Sequence, residues 1–324
     1  GRVTNALADR RLDWQAWTVY LHNCQLAAGH PEYAATNAFG DKYVTDLCPS
    51  SDAVAAYAIA LTADVARLAP SVIVAESLHH ASFGHGYHHE RAFVDLTATA
   101  AFLLSLCFCP SCIASAQGHG IDTDMLAERV RAVVRGALSA EKPLPYELSR
   151  ERLGELCGPS LLDYLRVREK TTATLAARCA AVAKAAGVPF GFLDQTGALK
   201  GYGTGNPQGE MCATDGWQLG VDAAAIARAV DAYVVLAYAQ DPARVCAEVS
   251  AYAAAIGDDA QLRCVLRHGG VDYLGPENLA AKVDAATKNG AMAVDFYHYG
   301  LMPLAGLEAA ATAIGQIHTQ SRDS

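Results

Sequence analysis

Four of the chain's ten cysteines carry metal-ligand spacing. Cys107-Phe-Cys109-Pro-Ser-Cys112 is a C-x-C-x-x-C run, and Cys48 stands upstream in DLCPSSDAV. Three thiolates so spaced can wrap one tetrahedral ion, and a fourth from another loop closes the site. Four thiolates with no open position make a structural zinc centre. The plainer alternative is a group of unrelated buried thiols beside a helix. Cys179 and Cys246 fall in Ala-rich helical patterns and read as small buried hydrophobes. Nothing around the run has a thioredoxin-like context, so redox chemistry is not the expectation.

The second centre of chemistry is Glu76, which ends the apolar run VIVAE. A carboxyl at the end of a buried strand, beside aromatic groups, suits a general acid. The structural alternative is an ion pair with Arg91 or Arg267. A partner carboxylate is expected among Asp194, Asp295 and Asp241. Asp194, ending its strand, is the first choice. Asp295 precedes Phe296-Tyr297-His298-Tyr299, a wall suited to stacking on sugars, and alternation puts Asp295, Tyr297 and Tyr299 on one face. Asp241, directly before Pro242, reads as a helix N-cap. Five of the eleven histidines, His79, His80, His85, His88 and His89, crowd the segment after Glu76. They could hold a catalytic metal with Glu76, or hydrogen-bond substrate hydroxyls; no H-E-x-x-H spacing supports the metal. His22, Asn23 and His268, at strand ends, are candidate substrate contacts, and Trp217 is a candidate stacking platform. ALKGYGTGNPQGE (198–210) lacks the P-loop pattern and reads as a mobile wall or lid.

These residues need elements to hold them at one mouth. Strands are expected over 14–23, 71–80, 188–194, 232–240, 261–269 and 291–300. Helices are expected over 51–69, 95–117, 123–140, 161–186, 222–230, 242–256, 276–289 and 304–317. The period alternates between two and 3.6, as a βα series requires. Polar residues collect at the strands' C-terminal ends, which favours a (β/α)8 TIM barrel over a doubly wound sheet. Only six βα units can be read. The two missing units are expected on the N-terminal side, with residue 1 inside a larger natural domain. The chain reads as one barrel domain over 1–324, with a helical insertion at about 81–160.

Composition limits the function classes. Hydrophobic residues make 52% and charged residues 18% of the 324 positions, the reverse of a disordered chain. A net charge of −9 is a poor match to nucleic-acid phosphates. No apolar run reaches the roughly 20 residues of a membrane span, and the first residues lack a signal peptide's apolar core. A cytoplasmic protein with mostly reduced thiols is expected.

The stretch from Cys48 to Ile121 resembles the middle of glycoside hydrolase family 42 β-galactosidases. The matching pieces are Cys48-Pro-Ser-Ser, the helix at 52–69, Ala75-Glu76-Ser77, and Cys107, Cys109 and Cys112. The resemblance implies that Glu76 is the acid/base and that the four cysteines bind zinc. It also implies a small-molecule or oligosaccharide substrate and homo-oligomer formation. Two departures stand out. The family's Asn before the Glu is Ala75. Its nucleophile, a Glu ending the seventh strand, has no counterpart, because LRCVLRHGG ends in Arg267 and His268. The whole chain is similar to alanine-rich, glycosidase-like barrel proteins of actinobacteria, through TVYLHN, HPEYAATNAFGD, HGYHHER, LCFCPSC and VDFYHYGLMP. The first expectation is therefore hydrolysis of a glycosidic bond. The alternatives are a carbohydrate-binding pseudoenzyme that lost its nucleophile, or a metal-dependent hydrolase or isomerase using the 79–89 histidines.

Overall fold

Short runs rich in Val, Ile, Phe and Tyr, bounded by glycine and polar breaks, form strands because branched and aromatic side chains pack on a pleated surface. The computed structural model describes residues 2–83, 96–139, 148–201 and 203–320. Its strands are β1 (Gln15–Val19), β2 (Ala34–Thr36), β3 (Lys42–Leu47), β4 (Val72–Glu76), β5 (Phe190–Asp194), β6 (Ala232–Leu236), β7 (Gln261–Leu266) and β8 (Ala293–Phe296). Six of them form one parallel sheet in the order β1-β4-β5-β6-β7-β8. These are the six strands expected, each in its place. Helices cross between successive strands, as parallel pairing demands. The sheet curls until Trp17 of β1 and Tyr297 after β8 lie 5.8 Å apart between ring centroids. β1 and β8 are not hydrogen-bonded neighbours, so the barrel is incompletely closed. The architecture is α/β, of the TIM-barrel type.

Alternation divides each strand between two environments. Val72, Val74, Leu193, Val234, Leu236 and Val265 form the inner cluster of the curled sheet. Ile73, Ala75, Phe190, Phe192, Tyr233 and Val235 face outward into the core beneath the helices. Register keeps the inner residues level: Trp17 lies beside Val74, and Val19 beside Glu76.

The Ala-rich helices Asp52–Ala66 and Pro159–Ala185 pack on the outer face through small residues such as Ala58, Ala176 and Ala180. Several helices begin with proline as their first residue, where the missing N–H costs nothing. The helix expected at about 95–117 is two, Ala98–Ser105 and Pro110–Gln117, bent by 91°. Leu106–Cys109 leaves helical geometry, and Pro110 starts afresh. With Thr123–Leu138 and Arg150–Cys157 these helices enclose a second core around the four cysteines. The β2–β3 hairpin and the short helices Cys24–Gly29 and Thr196–Gly201 were not anticipated. Among the described residues, no single helix is long and apolar enough to cross a bilayer.

Candidate functional site

The C-terminal ends of β1, β4, β5 and β6 and the β3 end surround a cleft of about 440 Å³. Trp17, Asp46, Glu76, His79, Gln195 and Tyr297 give it polar and aromatic character, and leucines supply most of the remaining wall. Glu76 reaches it because Val72, Val74 and Glu76 share the inner face of β4. Trp17 donates its indole N–H to Glu76 Oε2, and Gln195 Nε2 donates to Oε1 at 3.2 Å. No described residue forms an ion pair with Glu76. Arg267, an expected partner, instead pairs with Asp272 at 2.6 Å and lies over the Tyr238 ring; Arg91 lies outside the described residues. A carboxylate offers about four lone-pair sites. Among the described residues two are taken, which leaves two for a proton and a ligand.

Gln195 organises this corner. Its Oε1 accepts from Ser77 Oγ at 2.9 Å and from His79 Nε2 at 2.7 Å, which fixes its amide toward Glu76. His79 also donates from Nδ1 to the carbonyl of His80 at 2.8 Å. Ser77 holds φ +57°, a left-handed conformation that costs a non-glycine residue roughly 1 kcal/mol. Such outliers gather at functional sites because surrounding structure must over-determine them.

Asp46, which the sequence reading passed over, faces the same cleft. His22 Nδ1 donates to Asp46 Oδ1 at 3.0 Å, and Thr45 Oγ1 donates to Oδ2 at 2.6 Å. The Asp46 hydrogen bond, with the charges of Asp46 and Glu76, raises the His22 pKa above 6.5 against the opposing effect of burial. A group whose pKa rises on folding stabilises fully below its unfolded value and loses that contribution as pH climbs through the folded one. His22→Gln is therefore expected to lower Tm more at about pH 5.5 than at about pH 9. Equal losses in thermal melts at both pH values would contradict the ion pair.

The other candidates sort by strand parity. Asp194 follows Phe190 and Phe192 onto the outer face of β5 and is 1% exposed. It accepts from Tyr233 Oη at 2.7 Å and from the Thr196 N–H at 2.8 Å, and does not line the cleft. Gln195, one residue on, takes the inner position. His268 likewise follows Leu266 outward, buried edge-on against Phe296. Asp295 faces inward but is held by Arg263 at 2.9 Å. Tyr297 lines the cleft, whereas Tyr299 turns into a short 3-10 segment and is 79% exposed. Asn23 caps the Cys24–Gly29 helix by accepting from the Leu26 N–H, and donates to Tyr57. His80 is buried behind the cleft beside Arg168, where burial and that cation hold its pKa well below 6.5. Trp217 is a packing residue, edge-on to Phe102 at 5.0 Å and under the Arg150 guanidinium. His85, His88 and His89 lie outside the described residues. Asp241 is the N-cap expected of it, accepting from the Ala243 N–H. Of the Gly-rich loop, Ala198 and Leu199 form cleft wall, and the Gly205 carbonyl accepts from the Gln240 N–H at 2.7 Å.

The four cysteines converge as their spacing requires. Cys48, Cys107, Cys109 and Cys112 are buried, with their sulfurs all within 4.8 Å of one another. Cys48 Sγ is 3.4 Å from Cys112 Sγ and 3.7 Å from Cys107 Sγ. Thiolates at about 2.3 Å from a tetrahedral ion stand about 3.8 Å apart, so this donor set fits such an ion. No disulfide joins them. Hydrogen bonds from Cys107, Cys112 and Cys48 lower the Cys109 pKa, and those shared contacts hold Cys48 and Cys107 well above the usual thiol range. A bound cation would let all four ionise.

No protein-family model and no curated protein matches the chain. Solved structures do match. The catalytic domain of a β-amylase from Paenibacillus polymyxa aligns with a TM-score of 0.55 and 13% identity, over 92% of this chain and 79% of that one. A β-galactosidase from the psychrophilic Marinomonas ef1 aligns with a TM-score of 0.53 and 11% identity, over 92% of this chain and 48% of that one. The chain thus shares the fold of barrel glycoside hydrolases, and spans about half the length of that galactosidase.

Proposed function

We propose that the protein is a glycoside hydrolase-like enzyme acting on a small-molecule or oligosaccharide substrate, with Glu76 as general acid/base. The observation that carries the reading is Glu76 itself: a carboxyl on the inner face of β4, open to the cleft and held, among the described residues, by the neutral donors Trp17 and Gln195. Trp17 and Tyr297 give the cleft the aromatic faces on which sugar rings stack. Cys48, Cys107, Cys109 and Cys112 would hold a structural zinc ion away from the chemistry. Ten thiols free of disulfides suit a reducing compartment, the cytoplasm.

A second reading, a carbohydrate-binding pseudoenzyme, is favoured by one feature. β7 is followed by Arg267 and His268, with no carboxylate, and Asp295 on neighbouring β8 is occupied by Arg263. Assays on 4-nitrophenyl glycosides and on unmodified oligosaccharides separate the two. Turnover supports the enzyme; saturable sugar binding with no turnover supports the pseudoenzyme.

In the enzyme, Gln195 positions Glu76. Gln195→Leu removes the donor to Glu76 and the acceptor for His79 and Ser77. Loss of a positioning contact is expected to reduce kcat/KM roughly 10- to 100-fold. Unchanged kinetics in a folded variant would remove Gln195 from the machinery.

A further inference from the structure

We infer that Asp46 is the second carboxylate of the site, the base that activates water opposite Glu76. The inference rests on the glycoside hydrolase-like reading and supplies the partner which that reading lacks. Among the described residues lining the cleft, the two carboxylates are Glu76 and Asp46. The carboxylates expected from strand ends have other work: Asp194 bonds Tyr233 and the Thr196 N–H in the core, Asp295 pairs with Arg263, and Asp241 caps a helix.

The fold fixes Asp46 firmly. The β3 end is stitched to the chain leaving β1: the Asn23 N–H donates to the Thr45 carbonyl at 2.9 Å, the Leu47 N–H donates to the Leu21 carbonyl at 2.8 Å, and His22 bridges Asp46. Both carboxylate oxygens are oriented, one by His22 and one by Thr45. The two acids differ in their partners. Asp46 has a cation-forming one, and among the described residues the donors to Glu76 are the neutral Trp17 and Gln195. Asp46 stands on a different element from Glu76, on the wall of the same cleft, with both of its oxygens held in place.

The step balances. Water's oxygen bonds to the anomeric carbon and gives one proton to Asp46. The bond from that carbon to the leaving oxygen breaks, and Glu76 gives its proton to that oxygen. Solvent then takes the proton from Asp46 and returns one to Glu76. Attack by water from the opposite face inverts the anomeric centre.

The test uses the full chain and 2,4-dinitrophenyl glycosides. Asp46→Asn is expected to lower kcat roughly 10²- to 10⁴-fold with little change in KM. Asp46→Ala, shown folded by its melt, is expected to regain turnover in sodium azide and release a glycosyl azide. NMR of the wild-type product should show an inverted anomer. A retained anomer, an Asp46→Asn rate within about threefold of wild type, or a folded Asp46→Ala that azide does not rescue overturns the assignment while leaving the enzyme reading intact. A wild type inactive on every glycoside overturns that reading, and Asp46 with it.

Discussion

Glu76→Gln is expected to abolish most turnover, by roughly 10²- to 10⁴-fold for a general acid. That is about 3–5 kcal/mol of transition-state stabilisation. The loss should depend on the leaving group. An alkoxide leaves poorly without a proton, so natural glycosides suffer most. A dinitrophenolate leaves unaided, so its glycosides should lose far less in the bond-breaking step. The pH profile gives an independent sign. A general acid must carry its proton to work, so any alkaline fall of the wild-type rate that this group causes should be missing in the variant. Folding is a small confound. Glutamine keeps one acceptor but turns an N–H₂ toward Trp17 or Gln195, a mismatch costing about 1 kcal/mol. A folded Glu76→Gln with equal losses on both leaving groups, and an unaltered pH profile, would remove the acid role.

The strands were legible because each apolar run is short and bounded, and the barrel followed from polar residues at the strand ends. Glu76 was legible for the same reason. What the chain position of a strand-end residue does not state is which face it takes. Asp194 looked equivalent to Glu76, yet FGFLD puts it in phase with Phe190 and Phe192, which pack outward. The same count would have demoted His268 and promoted Gln195, so this error was avoidable from the sequence. Asp46 was not legible in that way. It lies on an antiparallel hairpin whose first strand is three residues long, too short for periodicity to register. Trp217 and His80 were misplaced because their burial depends on the second core, where helices from distant parts of the chain meet. The cysteine cluster was legible because ligand spacing is local, while the geometry that brings Cys48 to the other three belongs to the fold.

That cluster carries the second large effect. Elemental analysis is expected to find one zinc per chain, lost in Cys109→Ser and kept in Cys246→Ser, a partly exposed cysteine outside the group. Because metal binding to a buried site is folding free energy, its loss should be felt well beyond the ligands. Phe102 and Trp217 pack in the same core as the four cysteines, so chelation should expose Trp217 and shift its emission to the red. The consequence should also reach the cleft. Cys48 lies two residues after Asp46, and the Thr36 N–H at the end of β2 donates to Cys107 Sγ at 3.3 Å. The thiolate cluster therefore anchors both strands of the hairpin that presents Asp46, although it touches neither Asp46 nor Glu76. Chelated protein and Cys109→Ser are expected to lose turnover largely through kcat, together with the His22–Asp46 contribution to stability at low pH. Complete zinc removal that leaves both Trp217 emission and turnover untouched would show that the hairpin stands without the metal.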